Sequence, residues 1–186
     1  LLAFFSPLIL IIGNMANFQD CPHFDTHDDY YTRKETWAQI LPFLPTDKTY
    51  WEFCSLGSNG QSIQNLKDLG LNVVGNVEHD YLLNEELEAD ILISNPPFDK
   101  NIKIPILEKL SASNKPFIII MNSTNTFAKY FNRIFKGKDL YFIIPSTKIH
   151  YDKYQGTEYV ESKNNTAFYS CYVCYNIPGI TKNIFL

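Results

Sequence analysis

The run Ala89-Asp90-Ile91-Leu92-Ile93-Ser94 leads directly into Asn95-Pro96-Pro97-Phe98, and no other stretch restricts the fold of this chain as much. An uninterrupted apolar strand has to be buried on both faces, and such strands belong to parallel sheets with helices on either side. Two consecutive prolines fix two φ angles and remove two donors, so the strand ends in a rigid turn with free carbonyls. Around this point helix and strand patterns alternate. Helices are predicted at Thr36–Leu44, Gln61–Leu69, Ile102–Leu110 and Thr126–Phe135. Strands are predicted at Thr49–Leu56, Leu71–Asn76, Ala89–Ser94, Pro116–Met121, Leu140–Ile144 and the aromatic-rich Thr166–Ile177. This alternation predicts an open α/β sheet wound on both faces, in a single domain. Ligands in such sheets bind beyond the carboxyl ends of the strands, near the point where strand order reverses.

The 186 residues are 45% hydrophobic and 15% aromatic, enough for a substantial core and incompatible with disorder or coiled coil. Cys21, Cys54, Cys171 and Cys174 are too few and too irregularly spaced for a disulfide framework, which favours a reducing intracellular, cytoplasmic setting. Cys171 and Cys174 are expected on opposite faces of their strand, one in the core and one at the surface. The net charge of -4 hides an asymmetry: residues 1–99 hold 4 Lys/Arg and 15 Asp/Glu, residues 100–186 hold 12 and 5. The second part can therefore present a positive face to a phosphate backbone, although uneven solvation charge gives the same pattern.

Residues 1–14 (LLAFFSPLILIIGN) are apolar and lack both an initial Met and any basic residue. They read as an upstream extension, with Met15 as the natural start and a membrane-associated leader as the alternative. The domain is expected over residues 15–186, with its core at about 28–177. No apolar run reaches the ~18 residues of a membrane span.

The Asn95–Phe98 turn suits a planar amine. The Asn95 side-chain oxygen and the Pro96 carbonyl can accept its two hydrogens, Pro97 stiffens the turn, and Phe98 offers a flat face on which an extruded base can stack. The lone pair of adenine's exocyclic amine is delocalised into the ring, and two such acceptors would localise it. Here the sequence resembles the S-adenosylmethionine-dependent N6-adenine methyltransferases, whose amino-methylating motif Asn95–Phe98 matches. The resemblance runs over about residues 28–177 and implies a Rossmann-like, doubly wound, mostly parallel sheet. The closing run Thr166–Cys174 resembles the last, antiparallel strand of small phage- or virus-type members.

The resemblance also implies a cofactor site. Tyr30, Tyr31 and Thr32, followed by Trp37, resemble the family segment that helps hold the methionine end of the cofactor. The loop Glu52-Phe53-Cys54-Ser55-Leu56-Gly57-Ser58-Asn59-Gly60 stands where the family carries a Gly-rich turn, and Glu52, Ser55 and Gly57 are its candidate contacts. Leu56 occupies a position where an acid or Gly is commoner. Only residues 77–88 separate two predicted strands, too few for a further helix and strand. Glu78 is therefore expected to accept from the ribose hydroxyls and Asp80 from the cofactor's adenine amine, with Tyr81 beside that ring, unless the stretch is a solvated acidic loop.

Other chemistries find less support. Cys21, His23, Asp25 and His27 have a spacing that metal sites sometimes show but read as a polar tail, and no metal is expected. Neither Gly-x-Ser-x-Gly nor a phosphate-binding Gly-Lys-Ser/Thr motif occurs. His150 and Tyr151 are expected to line the substrate cleft or to form a structural aromatic cluster, and Lys148, Lys153 and Lys163 to touch phosphates. The expected activity is methyl transfer to adenine in DNA, with RNA adenine, a protein glutamine amide or a non-catalytic binding domain as alternatives. The stretch after the turn is too short for a large target-recognition domain, so relaxed specificity or a partner chain is expected, and no membrane.

Overall fold

The computed structural model describes residues 30–55, 60–76, 81, 87–155, 158–160 and 168–186, with the side chains of 153–155 and 158–160 left aside. Along the chain, β1 (Tyr30–Thr32) and α1 (Lys34–Ile40) precede a 3-10 turn at Leu41–Phe43. They are followed by β2 (Thr49–Glu52), α2 (Gln61–Asp68), β3 (Asn72–Val74) and β4 (Ile91–Ser94). Next come α3 (Lys100–Ser113), β5 (Phe117–Asn122), α4 (Ser123–Thr126), α5 (Lys129–Ile134) and β6 (Leu140–Ile144). A hairpin of β7 (Tyr151–Gln155) and β8 (Glu158–Val160) leads to β9 (Ser170–Tyr175) and β10 (Ile184–Phe185).

Seven strands form the main sheet in the order β10-β6-β9-β5-β4-β2-β3. The pairs β2–β3, β2–β4, β4–β5 and β6–β10 are parallel, while β9 runs antiparallel between β5 and β6. This is the expected mostly parallel, doubly wound sheet, with its aromatic-rich strand antiparallel. All four residues of β4 are buried. Ile91 and Ile93 pack under α1 and α2 with Trp37, Ile40, Ile63 and Leu66, and Leu92 packs under α3 and α5 with Ile106, Leu107, Leu110 and Phe131. Two bonds lock α1 down: Trp37 Nε1 donates to Ser62 Oγ (3.2 Å), and Tyr172 Oη donates to the Thr36 carbonyl (2.6 Å). Among the described residues no strand lies between β3 and β4, and no helix is long and apolar enough to cross a membrane.

Several expectations need correction. The predicted helix Thr36–Leu44 ends at Ile40, because Pro42 cannot donate to a continuing helix and the chain tightens into the 3-10 turn. The predicted helix Thr126–Phe135 is two pieces, since Ala128 is extended (φ -71°, ψ 145°) and starts α5 afresh. Helix α3 is longer than predicted: Asp99 caps it by accepting from the Asn101 amide (2.7 Å), and Asn114 closes it in the left-handed region at φ 53°. Tyr30–Thr32 is not merely a lead-in to the sheet but pairs with β7, and β1-β7-β8 form a second, three-stranded sheet. Cys171 and Cys174 do face opposite sides, but both are buried, because helices cover both faces of β9. Residues 1–29, and with them Cys21, His23, Asp25 and His27, lie outside the described residues.

Candidate functional site

The order of the main sheet reverses between β2 and β4: β2 continues outward to β3, β4 to β5. Their carboxyl ends therefore open a crevice of the kind that holds ligands in α/β sheets. Glu52 ends β2 and Ser94 ends β4, only 1% and 0% exposed. A carboxyl group is costly to bury without a partner, and Ser94 Oγ supplies one by donating to Glu52 Oε1 at 2.5 Å. Beyond Glu52 the chain turns through Phe53 and Cys54 to the buried Ser55, whose carbonyl accepts from the Gly60 amide (3.2 Å). Gly60 enters α2 at φ 79°, a left-handed conformation that glycine adopts without strain.

Asn95 follows Ser94 at the mouth of the crevice, half-buried, and among the described residues nothing hydrogen-bonds its side chain. Pro96 is buried; Pro97 and Phe98 are half-buried. Lys103, 5% exposed, holds the turn from behind by donating from Nζ to the Phe98 carbonyl (3.0 Å). The Phe98 ring meets Tyr30 at 5.3 Å, Tyr151 at 5.8 Å and Phe168 at 5.3 Å between centroids. Tyr151 is anchored in turn by donating to Ser170 Oγ (2.9 Å), and burial pushes its phenol above the ordinary range. The four rings join the second sheet to the turn.

Phe98 also walls an open cleft of about 810 Å³ shared with Lys100, Lys103, Asn122, Lys129 and Arg133. A separate cleft of about 470 Å³ is lined by Lys148 and His150 together with Arg33 and Asp152, which form an ion pair at 2.6 Å. The structure thus brings together Glu52, Ser55, Asn95, Pro96, Pro97, Phe98 and Tyr30 at one end of the sheet. Thr32 is buried in β1, its carbonyl accepting from Asn65 Nδ2 of α2 (3.1 Å), and strand alternation turns Tyr31 away from the face that Tyr30 and Thr32 share.

Tyr81 is a correction. Its ring is fully buried against Trp51 (5.4 Å) and Phe53 (4.9 Å), with Lys109 Nζ 4.2 Å from its centroid, so it completes the α3-side core and leaves no open face for a cofactor ring. Lys148 and His150 line the other cleft rather than the one at Phe98. Gly57, Glu78, Asp80 and Lys163 lie outside the described residues, as does the side chain of Lys153, whose backbone pairs with Tyr30.

No protein-family model matches the sequence, and no curated protein matches it. Solved structures do. A protein of Listeria monocytogenes assigned to the class I S-adenosylmethionine-dependent methyltransferases superposes with a TM-score of 0.50 over 90% of this chain and 68% of its own, at 9% identity. The chain shares that protein's Rossmann-like fold. Precorrin-6y C5,15-methyltransferase from Geobacter metallireducens gives a TM-score of 0.41 at 13% identity, over 81% of this chain and 96% of its own.

Glu52, Ser55 and Asn95 put a carboxyl, a hydroxyl and an amide at the carboxyl ends of β2 and β4, the first two buried and the amide half-buried at the mouth. Sequence reasoning missed Phe168, Lys103 and the cationic lining of the Phe98 cleft. Lys103 carried a readable signal, a lysine five residues after Phe98 on the first turns of the following helix. Phe168 did not, since its ring contacts with Tyr30, Phe98 and Tyr151 join residues far apart in sequence.

Proposed function

We propose that this protein transfers a methyl group from S-adenosylmethionine to the exocyclic amine of adenine in DNA. The observation that carries this reading is the Asn95–Phe98 turn at the carboxyl end of the central strand β4, beside the order reversal, with Phe98 opening onto a cleft. The methyltransferase fold supports the cofactor, and Glu52 and Ser55 at the mouth of β2 are the described groups that would face it. When bound, S-adenosylmethionine supplies an electrophilic methyl on its sulfonium.

The chain's own work is positioning. Asn95 Oδ1 and the Pro96 carbonyl accept the two N–H groups of the adenine amine and draw its lone pair out of the ring. These acceptors would bind the amine nitrogen best as it becomes tetrahedral on taking up the methyl group. One amine proton then leaves to water. Phe98 stacks on the extruded base, and its three aromatic neighbours together with Lys103 keep it in place.

Calorimetric titration with S-adenosylmethionine, followed by labelled-methyl transfer to DNA, RNA and protein acceptors in parallel, tests this reading. Cofactor binding with transfer to DNA is expected. Failure to bind the cofactor, or transfer to protein alone, would overturn it.

A further inference from the structure

The cleft beside Phe98 has a charge that the adenine amine does not require. Lys100 and Lys103 stand three residues apart on α3, and Lys129 and Arg133 four apart on α5, spacings that place each pair on one helix face. All four line the cleft, and among its described lining residues none is acidic. Arg133 shares its charge with Glu108 at 2.8 Å, while Lys100 and Lys129 are exposed.

A second observation lies on the rim. Phe127, between the cleft residues Asn125 and Ala128, is 84% exposed. Its corner is tightly built: Asn122 Oδ1 accepts from the Thr124 amide (3.0 Å), Thr126 Oγ1 donates to the Ser123 carbonyl (2.7 Å), and the Ser123 amide donates to the Tyr169 carbonyl (2.8 Å). A large apolar ring held in water by an ordered corner gains nothing for the fold. Cations along a groove with an unburied aromatic beside them are what a nucleic-acid strand engages, phosphates on the cations and a base on the ring.

Resting on the methyltransferase reading, we infer that the α3–α5 cleft and Phe127 grip the DNA strand flanking the target adenine. Lys100 and Lys129 meet its phosphates, and Phe127 stacks on a neighbouring base. The phosphate site is then here, not at Lys148 in the other cleft.

Fluorescence anisotropy of a short fluorescein-labelled duplex, with the full chain and over a salt series, tests the inference. The double variant Lys100→Gln/Lys129→Gln should bind at least about tenfold more weakly at low salt, and the slope of log affinity against log salt should fall by about two, near 0.9 per lost phosphate contact. Phe127→Ala should weaken binding by about tenfold with the slope unchanged. Both variants should titrate S-adenosylmethionine like the parent, which shows that they fold, and Lys148→Gln should keep the parent's DNA affinity. Parental affinity and slope in Lys100→Gln/Lys129→Gln, or a loss confined to Lys148→Gln, would overturn the cleft assignment while DNA methylation by the parent would keep the proposed activity standing. A parent that binds cofactor but no DNA would overturn both.

Discussion

Phe98→Ala should damage the fold as well as the site, and the size of the damage follows from the ring's neighbours. Phe98 lies 5.3, 5.8 and 5.3 Å from the rings of Tyr30, Tyr151 and Phe168. Aromatic pairs contribute about 0.5–1.5 kcal/mol each beyond simple burial, so three contacts sum to ~1.5–4.5 kcal/mol. A fully buried Phe→Ala change costs about 3–5 kcal/mol, and half-burial scales that down. The two routes overlap at a loss of about 1.5–2.5 kcal/mol. Urea unfolding reads it as a lower midpoint at unchanged slope. Asn95→Ala, three residues away and without a hydrogen-bond partner to lose among the described residues, should stay within about 0.5 kcal/mol of the parent. A Phe98→Ala loss below about 1 kcal/mol would show that the four-ring cluster does not hold the turn, and the reasoning from ring contacts would fail.

Ser94→Ala removes the donor to the buried Glu52 carboxyl and should cost about 1–3 kcal/mol in urea unfolding; a parental midpoint would mean that the pair is energetically idle. Asp152→Ala breaks the Arg33 pair, whose side chains are 20% and 3% exposed. Because Arg33 reaches water, the loss should fall at or just below the low end of the ~3–5 kcal/mol range for buried pairs, and limited proteolysis should then cut near Arg33. Burial pushes the Cys171 and Cys174 thiols up to about 11 and about 12 from an ordinary 9.0, so in the native protein at neutral pH a thiol reagent should label Cys54 and spare both. Since both folded values are raised, the stability they contribute is complete below pH 9 and is lost as pH rises toward 11–12, which denaturant midpoints across that range will show.

Features carried by contiguous residues were legible in the sequence. The stretch Ala89–Phe98, which holds β4 and its turn, is ten consecutive residues whose apolar run and paired prolines need no distant partner to be read. The central strands followed in the same way from local hydrophobicity. The features that escaped depend on residues far apart in sequence. The second sheet pairs Tyr30 with Lys153, and the aromatic cluster draws on positions 30, 98, 151 and 168. Tyr81 looked like a site residue because it follows acidic residues at a strand end, yet the apolar surface of Trp51 and Phe53 claims its ring. The basic excess after residue 99 is plain in the sequence, but Lys100 and Lys129, 29 residues apart, come to line one cleft only once α3 and α5 pack side by side.

The central claim is methylation of adenine at N6 by a site whose acceptor is Asn95. Its most direct test is mass spectrometry of the nucleosides released from an adenine-containing duplex after incubation with S-adenosylmethionine and either the parent or Asn95→Ala. The account predicts N6-methyladenine from the parent and at least about a hundredfold less from Asn95→Ala, with cofactor affinity nearly unchanged. Methylcytosine as the product, no methylated nucleoside from the parent, or parental yields from Asn95→Ala would contradict it.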